Sequence, residues 1–86
     1  VPPPQLPMVT IEFYTRRGCH LCEAAEQVLR AEQARTPFEL VIFDIDADPD
    51  HKDLYNLLVP VTLLPNGDEL HYHVDPRRLR AALATK

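Results

Sequence analysis

Cys19 and Cys22, three residues apart in the run Gly18-Cys19-His20-Leu21-Cys22, point most directly to a reaction. They stand where a strand-like segment gives way to a helix-like one. Residues three apart on a helix share a face, so the two sulfurs reach bonding distance without backbone movement. A helix N-terminus presents unpaired N–H groups and partial positive charge, and both stabilise a thiolate. Arg16 and Arg17 add positive charge just upstream. The thiolate is the attacking form in thiol–disulfide exchange, so the placement suits Cys19 as nucleophile. Cys22 lies one turn in and is placed to resolve a mixed disulfide. His20 between them can hydrogen-bond to a thiolate, lend it charge or simply face solvent.

The same pair has other uses. As a structural staple it would close a loop of four residues and remove little unfolded-state entropy, because that stabilisation grows with loop length. As half of a zinc site it would need two more ligands, and without a second C-x-x-C these must come from His20, His51, His71 or His73. Its position between a strand and a helix favours the redox use. Asp44, Asp46 and Asp48 alternate like the start of a calcium loop. That loop requires glycine at its sixth position and glutamate at its twelfth, where this chain has Pro49 and Tyr55. They read instead as a strand end running into a capped helix. Arg77, Arg78 and Arg80 read as a solvated helix face, and His71 and His73 as polar residues of an edge strand.

The elements that must position the cysteines follow from periodicity. Met8–Tyr14 alternates, with Val9, Ile11 and Phe13 on one face, and is expected to be a strand. A helix is expected from Cys19 or His20 to about Arg35, with Leu21, Ala25, Val28 and Leu29 inward, ended by Pro37. Phe38–Ile45 is nearly continuous apolar and β-branched, the pattern of a strand covered on both faces. Strand, helix and strand make a βαβ unit with parallel strands. Asp48-Pro49 caps and opens a short helix with Leu54, Leu57 and Leu58 inward. Val61–Leu64 and Glu69–Val74 are two strands joined through Pro65-Asn66-Gly67-Asp68, and Asn-Gly between apolar runs is a strong hairpin signal. Asp75-Pro76 opens a last helix with Leu79, Ala82 and Leu83 inward.

Bulk properties bound the rest. The chain has 86 residues and reads as one domain over 8–86, preceded by a lead-in over 1–7 that carries four of the nine prolines. The lead-in lacks the basic and apolar regions of a secretory signal. A net charge of −4 disfavours nucleic acid and anionic membranes as partners, and no apolar run approaches the roughly 18 residues that span a bilayer.

With a C-x-x-C after a strand, Val59-Pro60 before a later strand, and a hairpin and helix to finish, the chain resembles the thioredoxin superfamily. It is most similar to the small glutaredoxin-like proteins, whose motif runs Gly-Cys-His-Leu-Cys as Gly18 to Cys22 do here. The resemblance spans about Val9 to Leu83. It implies an α/β fold, βαβαββα, with a four-stranded mixed sheet in order 2-1-3-4 and helices on both faces. It also implies that Cys19 attacks, that Cys22 resolves and that Pro60 is a cis proline facing them. Arg16 falls where glutaredoxins carry a lysine three residues before the first cysteine, so its charge role carries over. The backbone of the residue before the cis proline, here Val59, pairs with a bound thiol peptide in those families. Two departures stand out. His20 and Leu21 replace the usual proline and tyrosine, and Tyr72-His73 replaces a glycine pair that leaves room for glutathione. Asp75 matches the aspartate that follows the pair.

The activity so implied is thiol–disulfide exchange in cell redox homeostasis and electron transport, in the cytoplasm, by a monomer. The expected substrate is a protein disulfide or a small thiol. No bound cofactor is expected; glutathione is one candidate reductant or co-substrate, and thioredoxin reductase is the other candidate source of electrons. Two other readings remain open at this point: a thioredoxin-like scaffold binding a metal or iron–sulfur cluster, and a redox-inactive protein-binding module.

Overall fold

The computed structural model of the protein describes residues 9–84. The 1–7 lead-in, the Met8 strand start and the His51 side chain lie outside the described residues. The elements run β1 (Thr10–Thr15), α1 (His20–Arg35), β2 (Glu39–Asp44), a 3-10 turn (Ile45–Ala47), α2 (Pro49–Tyr55), β3 (Val61–Leu63), β4 (Glu69–His71) and α3 (Pro76–Ala84). The sheet order is β2-β1-β3-β4, with β1 and β2 parallel and the other pairs antiparallel. This is the thioredoxin-like architecture that the sequence resemblance implied.

Strand register explains the two-sided core. Phe13, Thr62 and Leu70 lie opposite one another across β1, β3 and β4, so their side chains share a face. That face packs Ala25 and Leu29 of α1 and Leu79 and Ala82 of α3. Tyr14 and Val61, one residue along, point the other way and pack with Ile45 of the 3-10 turn and Tyr55 of α2. The Tyr14 ring stacks on Phe43 at 4.9 Å and meets Tyr55 at 4.8 Å. Burial, followed by its hydrogen bond to Glu12, pushes the Tyr14 phenol up to about 12.

The caps are placed as the sequence suggested. Asp48 Oδ1 accepts from Asp50 N at 3.2 Å and Asp75 Oδ1 from Arg77 N at 2.9 Å, each one residue before a proline-opened helix. Asp44 likewise accepts from Asp46 N, so Asp44 and Asp48 of the alternating aspartates cap successive turns. Pro65, Asn66 and Gly67 form a turn closed by Gly67 N to Leu64 O at 3.0 Å, the donor position that glycine favours.

Four expectations need correction. β2 is only partly covered on its two faces: Leu40 packs against one cluster and Phe43 against the other, but none of its residues is buried and Ile42 is exposed, because β2 is an edge strand. In α2 it is Tyr55 that turns inward, which leaves Leu54 exposed about 100° around the helix; Leu57, beyond the helix end, is also exposed. In α1 the buried stripe is Cys22, Ala25, Leu29 and Glu32, and Leu21 falls off it. β4 stops at His71 and not at Val74, because Tyr72 adopts φ +68° and the chain folds back through His73 N to His71 O.

The α1–α3 contact is fastened by a carboxylate that the apolar pattern does not reveal. Glu32 is buried and takes three hydrogen bonds from Arg80, the shortest 2.8 Å. These bonds outweigh burial and hold the Glu32 carboxyl below its usual value of 4.5. A depressed folded-state value contributes stability above the unfolded value and loses it as pH falls through the folded one. The melting-temperature advantage of wild type over Glu32→Gln is therefore expected in full at neutral pH and to shrink below about pH 4. Thermal melts of both proteins from pH 7 to 3 check this, and a difference constant over that range contradicts it.

Candidate functional site

The site begins with a turn. Gly18 has φ +72° with nothing within 4 Å of where a Cβ would stand, so its conformation and not crowding calls for glycine. The turn delivers Cys19 to the N-cap of α1 in an extended conformation, and its Sγ accepts the Cys22 N–H at 3.1 Å. Cys19 is half-buried and Cys22 buried. The Cα atoms lie 5.1 Å apart and the sulfurs are joined as a disulfide. Sulfur thus occupies the place usually taken by a capping oxygen, against an orphan helix donor.

The surrounding residues divide sharply. Arg16 is already engaged: it donates to both Asp46 carboxylate oxygens at 3.1 and 3.0 Å and to the Asn56 side chain at 2.7 Å. Those bonds, with Lys52 further off, hold the Asp46 carboxyl below its ordinary range. Arg16 therefore ties the segment before the cysteines to the 3-10 turn and to the residue after α2. Arg17 is exposed and makes no hydrogen bond or ion pair through its side chain with another described residue. His20 points into solvent, its ring 3.8 Å from Glu23. A concavity of about 280 Å³ beside the pair is lined by Arg17, Gly18, Cys22, Glu23 and Asp44, among others.

The cis proline stands on the sheet side. Tyr14 at the end of β1 pairs with Val61 at the start of β3, so the residue before Val61 sits at the edge from which the cysteine loop departs. That residue is Pro60, fully buried, and the Val59–Pro60 bond is cis. Val59 and Cys19 pack against the same core cluster. The Val59 N–H is spent on Tyr55 O at 3.2 Å, so an incoming peptide meets that donor already in use. Asp75 is exposed, and one oxygen of its carboxylate caps α3. Cys19, Cys22 and Arg17 thus lie at the end of the sheet where Pro60 opens β3, whereas Arg16 and Asp75 hold structural partners.

Two features escaped the sequence reading. The Asp46–Asn56 clamp on Arg16 spans 30 to 40 residues, and no local pattern announces it. The left-handed backbone of Tyr72 is likewise silent, since tyrosine carries no preference for it. Among the described residues no three His, Cys, Asp or Glu side chains gather as a metal would require, and no helix is long and apolar enough to cross a membrane.

A cysteine pair capping the first helix of a βαβαββα fold, with a cis proline opening the third strand, defines a thioredoxin-like dithiol protein. The family model Glutaredoxin-like domain (DUF836) matches residues 10–84, and the chain belongs to that family. The solution structure of protein Ne2328 from Nitrosomonas europaea is similar with a TM-score of 0.76 and 36% identity, covering 94% of this chain and 98% of that one. The X-ray structure of XcR50 from X. campestris is similar with a TM-score of 0.67 and 40% identity, covering 85% and 93%. The uncharacterized proteins Rv0508 of Mycobacterium tuberculosis and Mb0520 of Mycobacterium bovis are each 28% identical over 79 residues, covering 86% of this chain and 81% of theirs.

Proposed function

We propose that the protein is a glutaredoxin-like thiol–disulfide oxidoreductase that serves redox homeostasis in the cytoplasm as a monomer. The observation that carries this reading is the Cys22 N–H aimed at Cys19 Sγ from the first turn of α1. The same donor would hold a thiolate once the disulfide is reduced, as the helix N-terminus favours negative charge.

In the reduced protein, the Cys19 thiolate attacks one sulfur of a substrate disulfide. The substrate S–S bond breaks, the first substrate thiolate leaves and takes a proton from water, and a mixed disulfide with Cys19 remains. Cys22 then loses its proton and attacks Cys19 Sγ, releasing the second substrate thiol. Two electrons pass to the substrate, and the Cys19–Cys22 disulfide is the product state. An external dithiol, or two molecules of glutathione, returns the electrons.

The test is a disulfide-reduction assay run in parallel with glutathione plus its reductase and with thioredoxin reductase. Turnover with either supports the reading and names the reductant. No turnover with either points instead to a scaffold without exchange chemistry. Thiolate absorbance against pH in Cys22→Ser is expected to give Cys19 a value well below the roughly 8.5 of a free cysteine. A value at or above that would show that the helix start does not activate it.

A further inference from the structure

Arg16 bridges two segments that meet at the disulfide site. It lies three residues before Cys19 and lines the same concavity as Gly18 and Cys22. Its guanidinium donates to the Asp46 carboxylate at 3.1 and 3.0 Å, to Asn56 Oδ1 at 2.7 Å and to the Asn56 carbonyl at 3.4 Å. Asn56 follows α2 and opens the short segment that ends in cis Pro60. Within that segment Leu58 and Val59 both donate to Tyr55 O, and Pro60 O accepts from Tyr72 N at 2.8 Å. The segment is thus fixed to α2 and to the residue after β4, and Arg16 fixes it to the end of β1. Among the described residues, no hydrogen bond runs from residues 17–22 themselves to that segment.

Neither stability nor charge accounts for this arrangement. The Arg16 and Asp46 side chains are 29% and 42% exposed, and ion pairs so open to water contribute little to stability. As a charge for a Cys19 thiolate, Arg16 is compensated by the Asp46 carboxylate 3.0 Å away. What the planar guanidinium does supply is geometry. Its N–H groups diverge at fixed angles, so one side chain holds acceptors on two different segments. A lysine has a single nitrogen and would carry the charge without that hold. Placement matters, because a misplacement of about 1 Å can cost on the order of a hundredfold in rate.

We infer that Arg16 is a positioning residue of the disulfide site: through Asp46 and Asn56 it sets the spacing between the cysteine turn and the segment ending in cis Pro60. The inference rests on the exchange reading above. The exchange rate depends on the reach of the guanidinium to its two partners and not on its positive charge. This differs from the charge role that the family resemblance lends the position.

The experiment uses the full chain, reduced beforehand, and follows its single-turnover oxidation by insulin. The Cys19–Cys22 dithiol becomes the disulfide and one insulin disulfide becomes two thiols. Asn56→Ala and Arg16→Lys are each expected to slow this reaction about tenfold. The thiolate absorbance of Cys19, titrated in a Cys22→Ser background, is expected to keep its wild-type midpoint in both. Asp46→Ala separates the two roles by sign. Positioning predicts slower exchange. Charge predicts a lower Cys19 midpoint and exchange no slower than wild type, because the arginine is released from its partner. Rates are taken per folded molecule, with the folded fraction read from a melt of each variant. Rates within about twofold of wild type in Asn56→Ala and Arg16→Lys overturn the inference while leaving exchange intact. So does a fall that only tracks the folded fraction, or one matched by a shift of the Cys19 midpoint. Wild type inert to insulin overturns the exchange reading itself and this inference with it.

Discussion

Cys19→Ser is expected to abolish the proposed disulfide exchange, by on the order of a thousandfold or more, because no other group on the rim can serve as the attacking sulfur. The buried partner gives a different outcome. Cys22→Ser is expected to leave the first displacement intact and to remove the thiol proposed to resolve it, so that the mixed disulfide with Cys19 accumulates. The asymmetry follows from burial and capping. Cys19 is half-buried at the N-cap and Cys22 is buried within the first turn. Mass spectrometry of each variant after incubation with a disulfide substrate reads the adduct directly. Equal trapping by both variants would reverse or dissolve the assigned roles.

The second large effect is on stability. Phe13 is fully buried at the centre of β1, the strand that leads into the cysteine turn. Phe→Ala at such a site costs about 3–5 kcal/mol through lost transfer energy and the cavity left behind. A chain of 86 residues has a total stability of roughly 4–13 kcal/mol, so one substitution removes a large share of it. Phe13→Ala should lower the melting temperature by about 20 °C or more. Phe13→Leu, which refills most of the space, should lose clearly less. Paired denaturant melts check this, and a loss below about 1 kcal/mol in the alanine variant would mean that the two helices collapse into the gap.

Much of this architecture was legible in the chain because its local signals agree. Ile11 and Phe13 alternate as a half-buried strand must, Asp48-Pro49 and Asp75-Pro76 mark helix starts, and Gly18 precedes the cysteine pair as a turn requires. The illegible parts depend on distant partners. Phe38–Ile45 reads as a covered strand, but the sheet order that leaves it at an edge is set by β3 and β4, which come later in the chain. Leu54 and Leu57 look like core residues until α2 ends at Tyr55 and commits that ring inward. Arg16 looked available to a thiolate or a substrate, and only the folded chain shows Asp46 and Asn56 holding it. The cis state of Val59–Pro60 came from family resemblance, since about 5–6% of X–Pro bonds in folded proteins are cis and nothing local singles this one out.

The edge position of β2 bears on self-association. Among the described residues no strand pairs with its outer side, and its run Leu40-Val41-Ile42-Phe43 is the kind that templates unwanted sheet growth. The strand begins with Glu39 and ends with Asp44. If two copies met antiparallel and in full register along this edge, each Glu39 would fall opposite the other copy's Asp44. Both ends of such a ribbon would then set like charges face to face, which disfavours the pairing. The acidic ends of β2 thus act as gatekeepers against edge-to-edge pairing of two copies, a protection that weakens as salt screens them.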